Sequence, residues 1–187
     1  LSVPGLTETW TTSFTENLYH IEGYKSVLKS RDTSTYGGGV GLFVLESLPY
    51  LIREDLSPSD NCAEAVFIEL TNDNVIVGCI YRPPGHDINL FTAYVDSLLT
   101  TINKEHKTAF IAGDFNIDFL KSDVHQPTAD YTNCIFSHCF FPVINRPTRI
   151  SETSATLIDN ILTNAFRLQL SSAIVFLHTF LPMFSMC

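Results

Sequence analysis

Short apolar runs alternate with polar tips along the whole chain, and their period assigns most of them to strands or helices. GGGVGLFV, Gly37 to Val44, starts a strand through glycines that fit a close-packed edge or a flexible lead-in. AVFIEL, Ala65 to Leu70, reads as a half-buried strand, Asn72, Asp73 and Asn74 as a hairpin turn, and VIVGCIY, Val75 to Tyr81, as the return strand. Tyr81-Arg82-Pro83-Pro84 closes it, because proline cannot continue the ladder, and this leaves Tyr81 at the sheet edge. Between 89 and 105 the apolar residues Phe91, Tyr94, Val95, Leu98, Leu99 and Ile102 recur at helical spacing, which predicts an amphipathic helix on a sheet. Ala109 to Ala112 is a short continuous apolar run broken by Gly113 and fits a buried strand. Asp130 to Phe140 is a second helix by its pattern, with Tyr131, Cys134, Ile135 and His138 on one side. Ala155 to Leu162 reads as an apolar strand interrupted by Asp159.

The two ends are less regular. Leu1 to Thr9 resembles the end of a strand running into the polar tip LTETW, and residues 11 to 35 are polar and irregular, as in a long surface loop. The apolar tail from Leu168 to Cys187 is short for a bilayer span and holds Ser171, Ser172, His178 and Pro182. It predicts a core strand with an irregular end and no membrane anchor. Strands alternate with helices and hairpins, without a repeat or linker, and the expected class is a mixed α/β sandwich in one domain spanning 1–187.

Charge and cysteines narrow the class. A net charge of -9 argues against tight non-specific nucleic-acid binding, yet does not exclude a metal-dependent nuclease, whose site is itself acidic. Cys62, Cys79, Cys134, Cys139 and Cys187 form no CxxC pair and are odd in number, which predicts reduced, buried thiols. The N-terminus has no basic region followed by an apolar core, so no signal peptide is expected, and a first residue of Leu points to a longer reading frame.

The candidate chemistry centres on TAFIAGDFNID, Thr108 to Asp118. Asp114 and Asn116 follow the Gly113 break, two positions apart, where an extended chain puts side chains on one face. There Asp114 can orient or deprotonate a water and Asn116 can donate to a phosphate oxygen. The same residues also suit an Asx-turn closing a strand. Tyr81 is a packing residue or a phosphate donor. Glu8, at a strand end, is by itself an ordinary solvated carboxylate. Asp159 requires a partner, since a carboxylate inside an apolar run is otherwise costly. His138 reads as a helix-end or packing residue, and Arg146 and Arg149 in INRPTRI are the main local basic feature. The glycines at 37–39 and 41 match no phosphate-binding fingerprint, because no helix and no Lys-Ser or Lys-Thr follows them.

Taken in order, LTETW, GGGVGLFV, IYRPP, AGDFNID, RPTRI and ATLIDNILTN resemble the endonuclease/exonuclease/phosphatase family with its DNase I-like four-layer α/β sandwich. Within it they most resemble the apurinic-type endonuclease domain of non-LTR (LINE-type) retrotransposons, over roughly residues 1 to 164. The resemblance implies a Mg²⁺-dependent DNA endonuclease, intracellular and acting in the nucleus on its target, in a polyprotein that also carries a reverse transcriptase. It implies Glu8 as metal ligand and Tyr81 on the scissile phosphate. Asp114 would orient or activate the attacking water, Asn116 would hold that water or a phosphate oxygen, and Asp159 would orient the imidazole of a downstream histidine.

Two departures accompany the resemblance. The family's first strand, with its Asn, would lie before residue 1, so the domain is expected to be N-terminally truncated. After about 165 the pattern degenerates: Leu177-His178-Thr179-Phe180 stands where Ser-Asp-His belongs, ahead of Leu181-Pro182-Met183-Phe184, and His178 is displaced from the motif. Two other readings follow: a catalytically inactive remnant or binding module, and a phosphoinositide phosphatase or sphingomyelinase of the same superfamily.

Overall fold

The computed structural model describes residues 2–12, 15, 19–31, 37–58, 61–166 and the backbone of 183–184. His178 and the rest of the displaced motif, Leu181, Pro182 and Cys187 lie outside the described residues. The strands are β1 (Gly5–Thr7), β2 (Tyr24–Lys29), β3 (Val40–Leu45), β4 (Tyr50–Ile52), β5 (Glu64–Leu70), β6 (Val75–Tyr81), β7 (Thr108–Asp114), β8 (Phe141–Pro142), β9 (Arg149–Ile150), β10 (Ala155–Thr156), β11 (Asp159–Thr163) and β12 (Met183–Phe184). Two helices, α1 (Ile88–Lys104) and α2 (Gln126–Ser137), accompany them.

The main strands form a four-stranded sheet, β12-β1-β3-β2, and a six-stranded sheet, β4-β5-β6-β7-β11-β8; β9 and β10 pair separately. Alternation along the central strands explains the layering. Val66, Ile68, Val77, Cys79 and Tyr81 meet Val3, Val27, Val40, Leu42 and Val44 of the facing sheet in one core. Ala65, Phe67, Ile76 and Ile80 point the other way, into a second core with Phe91, Val95, Leu98, Leu99 and Ile102 of α1 and Tyr131 and Ile135 of α2. The result is an α/β sandwich of two facing sheets with helices on the outer face of the larger one. Among the described residues no helix is long and apolar enough to cross a membrane.

The structure corrects several expectations. Tyr24–Lys29 is a strand within the stretch read as loop; it lies at a sheet edge and only its Val27 enters the core, so its apolar signal is weak. β5 is buried on both faces rather than half-buried, and β6 is an interior strand, which places Tyr81 at a strand end and not at the sheet edge. α2 begins at Gln126, because Pro127 is accommodated in a first helical turn. The stretch from Ala155 to Leu162 splits into β10 and β11, and Asp159 opens β11 instead of interrupting it. Cys62 and Cys79 are buried, whereas Cys139 is exposed.

An ion-pair cluster ties the β4–β5 edge to the end of α1. Arg53 bonds Asp55, Glu69 and Glu105 at 2.7, 2.9 and 2.5 Å, and Lys107 reaches Glu69 and Glu105 at 2.6 and 2.7 Å. On the opposite side, the Cys79 thiol donates to the Leu6 carbonyl at 3.3 Å and links the two sheets.

Gly113 fixes how closely β7 approaches β6. A Cβ there would lie 2.0 Å from the Ile80 carbonyl oxygen, a backbone atom that cannot swing away. Gly113→Ala is therefore expected to destabilise the chain by about 1–3 kcal/mol, read as a lower urea midpoint. An unchanged midpoint would show that the strands separate freely at this point.

Candidate active site

Strand register assembles the site. The parallel pairing of β6 with β7 sets Tyr81 opposite Asp114, and the antiparallel pairing of β11 with β7 sets Asp159 opposite the same Asp114. Paired residues share a sheet face, so all three project toward the four-stranded sheet. From that sheet β1 ends at Thr7 and delivers Glu8, whose Oε1 accepts a 2.7 Å hydrogen bond from the Tyr81 hydroxyl. Glu8 takes a left-handed backbone, φ 53°, which costs energy in a non-glycine residue. The glycine stretch holds this turn: Thr9 and Trp10 donate to the carbonyls of Gly39 and Gly38, and a Cβ on Gly39 would strike Thr9 Oγ1 at 2.4 Å.

After Asp114 the chain leaves the extended conformation. Asn116 has φ 48°, a region that asparagine tolerates, and its N–H donates to Asp114 Oδ1 at 3.0 Å. The Asx-turn is thus present, and the carboxylate also keeps a second oxygen, Oδ2, which accepts from Arg149 at 2.8 Å. The Asn116 amide donates to the Arg82 carbonyl at 2.9 Å, so it faces the β6 end rather than sharing a face with Asp114 as in a strand. Phe115 and Ile117, alternating with the polar pair, are buried in the helix-side core and anchor the loop.

Three residues that the sequence left unassigned shape the site. Arg82 is buried, and its guanidinium donates to the carbonyls of Phe115 at 2.7 Å and Asn116 at 2.6 Å and to that of His86. Arg31 pairs with Glu64, the β5 neighbour of Tyr81, and its guanidinium lies 5.8 Å from the Tyr81 ring centre. The Thr148 hydroxyl accepts from the Asp159 N–H at 3.2 Å. Arg82 and Thr148 stand inside the YRPP and RPTRI motifs, which offered a signal for them, whereas nothing periodic marks Arg31. Of the arginines in INRPTRI, Arg149 reaches the site and Arg146 is exposed. His138 lies at the end of α2, on the helical layer.

The carboxylates are electrostatically loaded. Burial, followed by the charge of Asp159, pushes Asp114 up to about 7, against the pull of Arg149 and the Asn116 N–H. Burial also raises Asp159, opposed by the Thr148 hydroxyl and Arg149 and reinforced by the charge of Glu8. The Tyr81 phenol is raised by burial and by its bond to Glu8, and stays protonated. Among the described residues Asp159 Oδ1 is buried without a hydrogen-bond partner. An orphaned carboxylate oxygen beside two further carboxylates is the donor set a hard, oxygen-binding cation requires. Glu8 and the free oxygen of Asp159 are the donors of that kind at this site, although Glu8, Asp114 and Asp159 do not bring ligand atoms within 4.8 Å of one another.

The chain belongs to the endonuclease/exonuclease/phosphatase family, which it matches over residues 5–179. Its fold is similar to that of the endonuclease domain of TRAS1, a telomere-specific non-LTR retrotransposon, at 12% identity and a TM-score of 0.62, covering 89% of this chain and 81% of that one. It is similar to the APE2 catalytic domain of Xenopus laevis at 18% identity and a TM-score of 0.60, covering 88% and 74%. It is also similar to the 3′ phosphatase NExo from Neisseria, solved with a product DNA hairpin, at 13% identity and a TM-score of 0.61, covering 88% and 76%. No curated protein sequence matches the chain.

Asp114 makes stability depend on pH. With a folded value of about 7 against an ordinary 3.8, it holds more proton in the folded chain than in the unfolded one within that window. Its contribution to stability therefore falls as pH rises from about 4 to about 7. Asp114→Asn cannot ionise, and the parent should lose about 2–4 kcal/mol relative to this variant between pH 4 and 8. Urea titrations at the two pH values measure the difference; a constant gap would mean that Asp114 titrates normally.

Proposed function

We propose that this chain is the DNA endonuclease domain of a non-LTR retrotransposon-type polyprotein, built to hydrolyse a phosphodiester with Mg²⁺ and slow in the form present here. The observation that carries the reading is the single row of Tyr81, Asp114 and Asp159 on one sheet face, met by Glu8 from the facing sheet. The order of the family-like motifs supports the retrotransposon branch, as does the fold likeness to the TRAS1 endonuclease domain. Under this reading the polyprotein also carries a reverse transcriptase and acts on nuclear DNA.

Glu8 and Asp159 are the residues that would hold the cation, which when bound supplies Lewis-acid polarisation of a phosphoryl oxygen. Asp114, raised to about 7, is poised to take a proton from an attacking water near neutral pH. Asn116 and Arg82 fix the loop that aims it, and Arg149 holds its second oxygen. Tyr81 carries the proton of the Tyr81–Glu8 pair and offers a phenol to a phosphate oxygen. The slow turnover follows from the sequence at 177–180, where Leu-His-Thr-Phe replaces the Ser-Asp-His of the motif and leaves Asp159 without the imidazole it would orient.

In Mg²⁺ the chain should nick supercoiled plasmid about 10²–10⁴ times more slowly than a site with its acid–base group intact, and Asp114→Ala should remove what remains. Fast nicking abolished by both Asp114→Ala and His178→Ala would overturn the reading of a crippled site and give His178 the missing role. Turnover of inositol phosphates in place of plasmid would instead favour the phosphatase branch.

A further inference from the structure

The face of the six-stranded sheet opposite the carboxylates carries a second cluster, on the two helices. Cys134 and His138 are one helical turn apart at the end of α2, so their side chains share a face. Asp96 of α1 projects between them: its Oδ1 lies 2.8 Å from His138 Nε2 and 3.8 Å from Cys134 Sγ. One ligand atom from each residue lies within 4.8 Å of the other two. We propose that Asp96, Cys134 and His138 form a Zn²⁺ site that clamps α2 to α1, separate from the catalytic cluster.

Ligand chemistry and geometry both favour this ion. A thiolate, an imidazole and a single carboxylate suit a borderline-soft cation, whereas Mg²⁺ prefers oxygen alone. A tetrahedral zinc with bonds of about 2.0–2.3 Å sets its ligand atoms roughly 3–4 Å apart, with a fourth position left for water. Reaching that spacing takes a small opening of the His138–Asp96 contact, with Cys134 Sγ, already within 4.8 Å of both, closing on the ion.

The frame around the ligands is already fixed. The His138 carbonyl accepts from Asn103 Nδ2 of α1 at 3.0 Å, and the His138 N–H bonds back to the carbonyls of Cys134 and Ile135 at 3.4 and 3.2 Å. Cys134 Sγ also lies 4.0 Å from the Thr92 carbonyl. The Asp96 side chain is 62% exposed and gives a cation a route from solvent, while that of His138 is 16% exposed and held in place. Without metal the same residues form a bridge between the helices, and the ion would displace a proton from His138 Nε2 and one from the Cys134 thiol.

The test uses the full chain, stripped with chelator and kept in excess Mg²⁺ so that the oxygen site is occupied. Titration with Co²⁺ should produce a thiolate-to-metal charge-transfer band that saturates at one ion per chain and is displaced by one equivalent of Zn²⁺. Cys134→Ser should abolish the band. His138→Gln, a milder change judged folded by circular dichroism, should weaken Co²⁺ binding by at least about tenfold. Asp114→Asn and Cys139→Ser should leave both band and affinity unchanged. The proposal is overturned if no band forms, if Cys134→Ser keeps it, if Cys139→Ser removes it, or if folded His138→Gln binds with parental affinity.

Discussion

The site depends first on the register between β6 and β7. Tyr81 and Asp114 share a row only because Val75 starts opposite Thr108 and the strands remain parallel for seven paired positions. A slip by one residue would turn Asp114 toward the helical core and bring Gly113 to the facing sheet. Two features resist that slip. Alternation buries both faces of β6, so any shift exposes one apolar set and buries the wrong one. The missing side chain of Gly113 lets the backbones meet at Ile80, next to Asp114. The glycine of the AGDFNID motif thus has a mechanical role distinct from that of the carboxylate that follows it.

Against this rigid register stands an electrostatic load. Asp114 and Asp159 are buried side by side, with Glu8 close enough to disfavour ionisation of both. Burial of such a pair is expensive, and the structure answers only part of the cost. Arg149 and the Asn116 N–H serve Asp114, and Thr148 serves Asp159, yet one oxygen of Asp159 has no partner among the described residues. Arg82 contributes differently. It spends its charge on carbonyls and not on carboxylates, stabilising the loop geometry without neutralising the acids. The uncompensated acids therefore meet at the strand ends, beside Glu8. The left-handed backbone at Glu8 adds strain at the same place.

Much of this was legible in the sequence because the strongest signals are local. The hairpin from Ala65 to Tyr81 and the helix ending near 105 follow from period and turn chemistry, and the structure places them within a residue or so, whereas β7 runs through Gly113 to Asp114 instead of breaking there. The edge strands escaped notice for a physical reason: β2 commits only Val27 to the core, and β4 leaves Leu51 and Ile52 exposed. Extended-strand spacing described Asp114 and Asn116 poorly, since φ turns positive at Asn116 and the amide folds back on Arg82. Long-range partners were the least accessible. Arg31 meets Glu64 across 33 positions and Arg82 meets Asn116 across 34, and no local pattern encodes such meetings.

The two faces of the six-stranded sheet separate two kinds of ligand chemistry. Oxygen donors gather on the face toward the smaller sheet, at strand ends that β-pairing holds at fixed spacing. Sulfur and nitrogen donors gather on the helical side, where an i, i+4 pair on α2 meets a carboxylate from α1. Packed layers of Phe67, Ile76, Phe91, Leu99 and Ile111 lie between them. A hard cation needed for phosphoryl chemistry and a borderline-soft cation that braces helices would therefore not compete for ligands, although affinity for nitrogen and sulfur alone would favour the second everywhere. This separation follows from strand alternation: the residue parity that sends Asp114 to one face sends Ile111 to the other, and it leaves the helices to assemble their own polar contacts above a continuous apolar floor.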